Sequence, residues 1–129
     1  MTRHSLFHRL RSPSLSLLLL LPAALFLPNR SALAQTAALD AARQLATAED
    51  KGHCQACHQF PNDSRVKSRA TVGPALAAMR TRFPDRARLM AVIRDARSAN
   101  ADTIMPPYGP HRILTESEMA AIADYLLTQ

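Results

Sequence analysis

Tryptophan is absent from this sequence of 129 residues, and past residue 34 the only aromatic side chains are Phe60, Phe83, Tyr108 and Tyr125. A domain of the remaining 95 residues with so few large side chains has a thin core, and small domains of that kind often depend on a metal, disulfide or other staple. Cysteine is nearly absent too: Cys54 and Cys57 are the only two. No alternating strand pattern and no internal repeat is found. No third cysteine, acid/base carboxylate pair or open metal position suggests bond-making chemistry.

Acid is missing from the N-terminal segment. Residues 1–14 carry Arg3, Arg9 and Arg11 without an acidic residue, residues 15–28 are apolar but for Ser16, and Ala32-Leu33-Ala34 offers a small-x-small cleavage site. A membrane-spanning helix needs roughly 20 apolar residues. This run is shorter and is interrupted by Pro22. The segment therefore reads as a cleaved Sec-type signal peptide over residues 1–34, with one domain at 35–129, a periplasmic location and no membrane anchor. No arginine pair suggests the twin-arginine route, and Gln35 after the cut excludes a lipoprotein cysteine. Four of the 16 basic residues lie in the leader, so the mature chain has 12 basic against 10 acidic residues, net +2. The overall net charge of +6 is thus no argument for nucleic-acid binding.

Helical patterning dominates the rest. Leu39, Ala42, Leu45 and Ala46 predict a first helix over 36–52 that ends close to Gly52. Residues 59–72 are polar and aperiodic and read as a loop, and 75–82 has room for a short helix. Pro84 opens a stronger helix, with Leu89, Val92, Ile93 and Ala96 on one face. Pro106, Pro107, Gly109 and Pro110 exclude a regular helix in 98–114. Thr115 and Glu118 form a capping box for a last helix whose apolar face is Met119, Ile122, Ala123 and Leu126. The fold class expected is all-α.

Both cysteines fall in Cys54-Gln55-Ala56-Cys57-His58, the C-x-x-C-H signature of covalent haem attachment. Cysteines three apart on a helical turn share one side and can reach the two vinyl groups of one porphyrin, and the next histidine can ligate iron beneath it. A disulfide would leave His58 unexplained. Zinc would need more ligands, and only His53 and His111 remain as soft candidates. One haem c, held at Cys54 and Cys57 with His58 on the iron, is the reading. Four methionines are candidates for the opposite ligand. Met79, Met90 and Met119 lie in helical patterns that suit core filling. Met105 stands in a stiff proline-rich loop, and Met/His ligation raises the potential of an electron carrier; His111 is its rival. Gly73-Pro74-x-Leu76 offers the Pro74 carbonyl as acceptor for the free N–H of His58. Arg80, Arg82, Arg86 and Arg88 form a cluster that suits partner docking or a haem-propionate contact, or else is a solvated face.

The order C-x-x-C-H, G-P-x-L, a loop methionine and a capped final helix resembles the class I cytochromes c over nearly the whole mature chain. It departs from many of them in having Asp50, not an aromatic residue, four positions before Cys54. Within that class Lys51–His58, Arg82-Phe83-Pro84-Asp85 and above all Met105–Thr115 resemble the SoxX family, the small monohaem subunit of SoxAX in thiosulfate oxidation. Ala101 stands where that family leads one to expect proline, and 62–71 fits less closely. The resemblance implies a SoxA-like larger cytochrome as partner, and a SoxYZ-like carrier protein on whose cysteine thiosulfate is oxidatively conjugated. It also implies a downstream electron acceptor, and a role as haem subunit of an L-cysteine S-thiosulfotransferase with no catalytic residue of its own. Carried over, His58 and Met105 are axial ligands and Cys54 and Cys57 the covalent anchors; Tyr108, a rigid aromatic in the proline-stiffened loop, is either an interface anchor or a cover for the haem edge. A free periplasmic electron shuttle is the alternative. A haem sensor or peroxidase would require Met105 not to ligate.

Overall fold

The computed structural model describes residues 30–129, so the predicted leader lies almost wholly outside the described residues. Four α-helices carry the fold: α1 (Arg30–Thr47), α2 (Met79–Arg82), α3 (Arg86–Arg94) and α4 (Glu116–Leu126). Short 3-10 turns at Cys54–Ala56 and Ala96–Ser98 complete the regular structure, and the described residues contain no strand. None of these helices is long and apolar enough to cross a membrane.

The first and last helices pack on each other, and α3 packs on α4. Ala42 and Ala46 supply the buried stripe of α1, and their small side chains let α4 come close with Met119, Ile122 and Ala123. Residues 30–38 of α1 are all exposed. Helix α4 starts as its sequence predicts. Thr115 accepts from the Glu118 backbone, while the Glu118 carboxylate accepts from the Thr115 N–H at 2.8 Å.

Two boundaries differ from the sequence expectation. Helix α1 stops at Thr47, five residues short of Gly52, because the chain turns back on itself. The Gly52 N–H donates to the Leu45 carbonyl at 3.0 Å and His53 to Ala48. A Cβ on Gly52 would lie 2.9 Å from the Leu45 oxygen, so only glycine permits this approach. Helix α3 starts after Asp85, whose side chain caps Ala87, and ends at Arg94 because Asp95 is extended. Ala96 is still buried, on the following 3-10 turn.

The loop 59–72 is irregular, as expected, yet anchored by charge. Asp63 is the one buried charged residue among those described. It accepts from Arg65 at 2.8 and 2.7 Å and from the Tyr125 hydroxyl at 3.1 Å, and Arg65 also reaches Asp40 of α1 at 2.5 Å. The Arg65 guanidinium holds the Asp63 carboxyl well below the usual carboxylate range, against the opposing effect of burial.

Candidate haem site

Cys54 opens the 3-10 turn that follows α1 and Cys57 caps it, and the two form no disulfide with each other. Their chain neighbour His58 is fixed by the segment that begins at Gly73. The Gly73 N–H donates to the Cys57 carbonyl at 2.8 Å, and Leu76 N–H to the Gln59 carbonyl at 2.8 Å. These bonds lay Gly73 flat against the imidazole, where an added Cβ would sit 2.3 Å from His58 Cε1. His58 Nδ1 is 2.7 Å from the Pro74 carbonyl oxygen. A carbonyl can only accept, so Nδ1 carries the proton and Nε2 keeps its lone pair for a metal.

Cys54, Cys57 and His58 open onto a cavity of about 430 Å³, within the range of about 300–1,000 Å³ common for ligand clefts. Leu76, Leu89, Ile93, Leu114, Ile122 and Leu126 give it an apolar wall. A sealed apolar void of that size would cost on the order of 10 kcal/mol at about 24 cal/mol per Å³, comparable to the whole stability of a small domain. Open to water, the same wall leaves apolar surface wet. The thin core inferred from composition is thus arranged around this cavity, whose apolar wall fits a large apolar group.

Met105 and Met79 both line this cavity, whereas Met90, Met119 and His111 do not. Met79 is buried at the start of α2, and its sulfur lies 3.5 Å from an Arg82 nitrogen. Met105 is half-buried, in the loop between the Ala96–Ser98 turn and α4, and its N–H donates to Thr103 Oγ1 at 3.2 Å. Pro106 and Pro107 follow it with no N–H to offer.

Tyr108 is 6% exposed, and its ring lines the cavity. Its hydroxyl donates to the Gly52 carbonyl at 2.5 Å. Burial raises its phenol well above the usual range, so the hydroxyl keeps its proton and serves as a donor. The interface-anchor reading of Tyr108 is thereby corrected: the residue faces inward and has no surface to give a partner. Burial pushes the Cys54 thiol up to about 11. A redox-active C-x-x-C pair needs the opposite, a thiolate stabilised near neutral pH.

The arginine cluster separates into different roles. Arg86 binds Asp124 at 2.6 Å and the Ala120 carbonyl at 3.1 Å, which ties α3 to α4. Arg82 is the sole cationic side chain on the cavity wall among the described residues; it donates to the Ala75 carbonyl at 2.8 Å and lies over the Phe83 ring. Arg80 and Arg88 are exposed. An apolar cleft with two cysteines, one oriented imidazole, two thioethers and a single guanidinium fits a porphyrin with two carboxylate side chains. Sequence reasoning named Arg82 only as one of four clustered arginines that could reach a haem propionate, and of those four it alone lines the cavity. Sequence reasoning did not find Asp63, whose partners lie up to 62 residues away.

A protein-family model described as Cytochrome c matches residues 39–129, from the partly buried Leu39 of α1 onward. Comparison with curated proteins gives no match. With the helical fold and the thiol–imidazole turn facing an apolar cleft, that match places the chain in the cytochrome c family, whose members bind haem c covalently and transfer electrons.

Proposed function

We propose that this chain is the small monohaem subunit of a SoxAX-like complex, exported to the periplasm, which takes up electrons released when thiosulfate is conjugated to a carrier-protein cysteine. Cys54 and Cys57 would hold one haem c through thioether bonds, His58 Nε2 would ligate its iron, and Met105 would supply the sixth ligand. When bound, that group provides a one-electron iron couple. The protein's part is to dry it, orient the imidazole through Pro74 and hold the thioether. Met105 is preferred to Met79 because the Met79 sulfur is already engaged by Arg82.

The observation that carries the partner assignment is the Met105–Thr115 block, which is longer than ligation requires and resembles the SoxX family. The cavity rim supports it. Of the three large hydrophobic residues exposed among those described, Ile104 (79%) and Val72 (62%) both border the cavity. An apolar rim beside a redox centre suits a protein partner of the same kind, in which such residues become the buried middle of an interface. The exposed start of α1 supports export, since a cut after Ala34 removes nothing buried.

Co-purification and reconstitution test this reading. A periplasmic extract lacking the chain should lose thiosulfate-dependent cytochrome reduction and regain it on addition of the holoprotein. Full activity without it would make the protein a free electron shuttle instead.

A further inference from the structure

Met105 has few ties of its own. Two prolines follow it, its N–H reaches only Thr103, and its side chain is half-buried. The nearest firm point in its loop is Tyr108. The Tyr108 carbonyl accepts from the Ile113 N–H at 3.0 Å, and the neighbouring Gly109 N–H donates to the Arg94 carbonyl at 3.0 Å. A Cβ on Gly109 would lie 2.7 Å from Arg94 Cγ, so the loop is seated closely on the end of α3. On its other side the Tyr108 hydroxyl crosses to Gly52, two residues before Cys54 and itself fixed on the last turn of α1. One buried side chain thus spans from the methionine loop to the cysteine turn, and it does so along the cavity wall.

We infer that Tyr108 is a positioning residue. Its hydroxyl bond to Gly52 sets the separation between the loop that carries Met105 and the turn that carries His58, and so sets how firmly the thioether holds oxidised iron. This rests on the haem reading above. Without the bond the methionine loop can move outward, and an external ligand competes more easily for the site.

Tyr108→Phe tests it, because the ring and its packing remain and only the hydroxyl is lost. The ferric holoprotein should retain covalent haem but bind imidazole about tenfold more tightly, the factor that corresponds to one lost hydrogen bond of about 1.4 kcal/mol. Its weak long-wavelength sulfur-to-iron band should fade at lower temperature. Tyr125→Phe is the control: its hydroxyl is also buried, but bonds Asp63 away from the cavity. That variant should lose stability with imidazole affinity unchanged. Equal affinities for Tyr108→Phe and wild type, or equal shifts in both variants, would overturn the inference. Should Tyr108→Phe fail to accumulate, 3-fluorotyrosine incorporated into Tyr125→Phe labels Tyr108 alone, since the chain has two tyrosines. The stronger donor should weaken imidazole binding, and an unchanged affinity would again overturn it. Absence of covalent haem or of the sulfur band in the wild type would refute the haem reading itself, a result distinct from these.

Discussion

Two irregular segments flank the haem-site cavity, and they are immobilised by opposite means. Residues 99–115 are stiffened within their own covalent chain, by Pro106, Pro107 and Pro110, and are pinned by the neutral Tyr108–Gly52 bond. Residues 59–72 contain only Pro61, and charge holds them: Asp63 with Arg65, Arg65 with Asp40, and Arg43 at 3.9 Å from Asp63. Proline lowers the entropy of the unfolded chain wherever the fold accepts its φ, whereas an ion network acts only once distant elements have met. The first device suits a segment that must present one atom at a fixed place. The second suits a segment that closes the back of the fold.

On the proposed ligation, breaking the methionine loop at the Met105 sulfur should have the largest effect. Met105→Ala is expected to abolish the sulfur-to-iron band and to open the ferric iron to small ligands, whereas Met79→Leu and Met119→Leu keep the band. Absorption spectra of the purified holoproteins decide this. A band that survives Met105→Ala would assign the sixth ligand to another residue.

Breaking the other loop should cost stability and leave the spectrum alone. Asp63→Ala removes the acceptor for Arg65 and the Tyr125 hydroxyl inside a buried environment. We expect a loss of about 2 kcal/mol in denaturant unfolding, in the range for buried hydrogen bonds to a charged group. The sulfur-to-iron band should persist below the transition. Simultaneous loss of both would mean that the two loops are one cooperative unit.

How much of this was legible in the sequence follows the same division. Proline, glycine and a C-x-x-C-H run are local signals, so the cysteine turn, the irregular methionine loop and the capped final helix could all be read from neighbouring residues. The Gly73-Pro74 pair pointed to the His58 contact for the same reason, since its partner lies in a motif already recognised. Asp63 gave no such signal: a single acid in a polar stretch looks solvated until Tyr125 and Asp40 are brought beside it. Tyr108 was seen, but its direction was not, because an aromatic next to prolines can face either way. Gly52 was read as a helix end, when its use is to let the chain double back on Leu45.

A surface variant probes the partner rather than the loops. Ile104→Ser changes a side chain that is 79% exposed and so should leave stability close to wild type. On the interface reading it weakens binding to a SoxA-like cytochrome by about tenfold, as the loss of one apolar contact worth about 1.4 kcal/mol would. Calorimetric titration with the partner measures it, and unchanged affinity would move the interface off the cavity rim.

The smallest effect expected is on pH dependence, and it tests whether the charged ties behave as charge. Glu118 closes the capping box of α4 and also accepts from Lys51 Nζ at 2.8 Å, which joins the cysteine turn to the last helix. The Lys51 ammonium, first, and then the Thr115 N–H bring its carboxyl down to about 2 from an ordinary 4.5. Because the folded value lies below the unfolded one, the ionised carboxylate stabilises the fold fully above about pH 4.5 and progressively less as pH falls towards 2. Asp63 follows the same sign and loses its contribution at still lower pH. Wild type should therefore show a falling thermal midpoint across that acid window and a flat one above pH 5. Glu118→Gln should start lower at neutral pH and show a shallower fall, since Asp63 still titrates. Both atoms lie near the molecular surface, so the difference is small and shrinks with added salt. The Tyr108–Gly52 bond contains no group that titrates in this range. Below the thermal transition, the sulfur-to-iron band should accordingly stay constant as pH falls from 5 towards 2 while the charged ties weaken. A band that fades in step with the midpoint would show that the methionine loop depends on the ionic network after all.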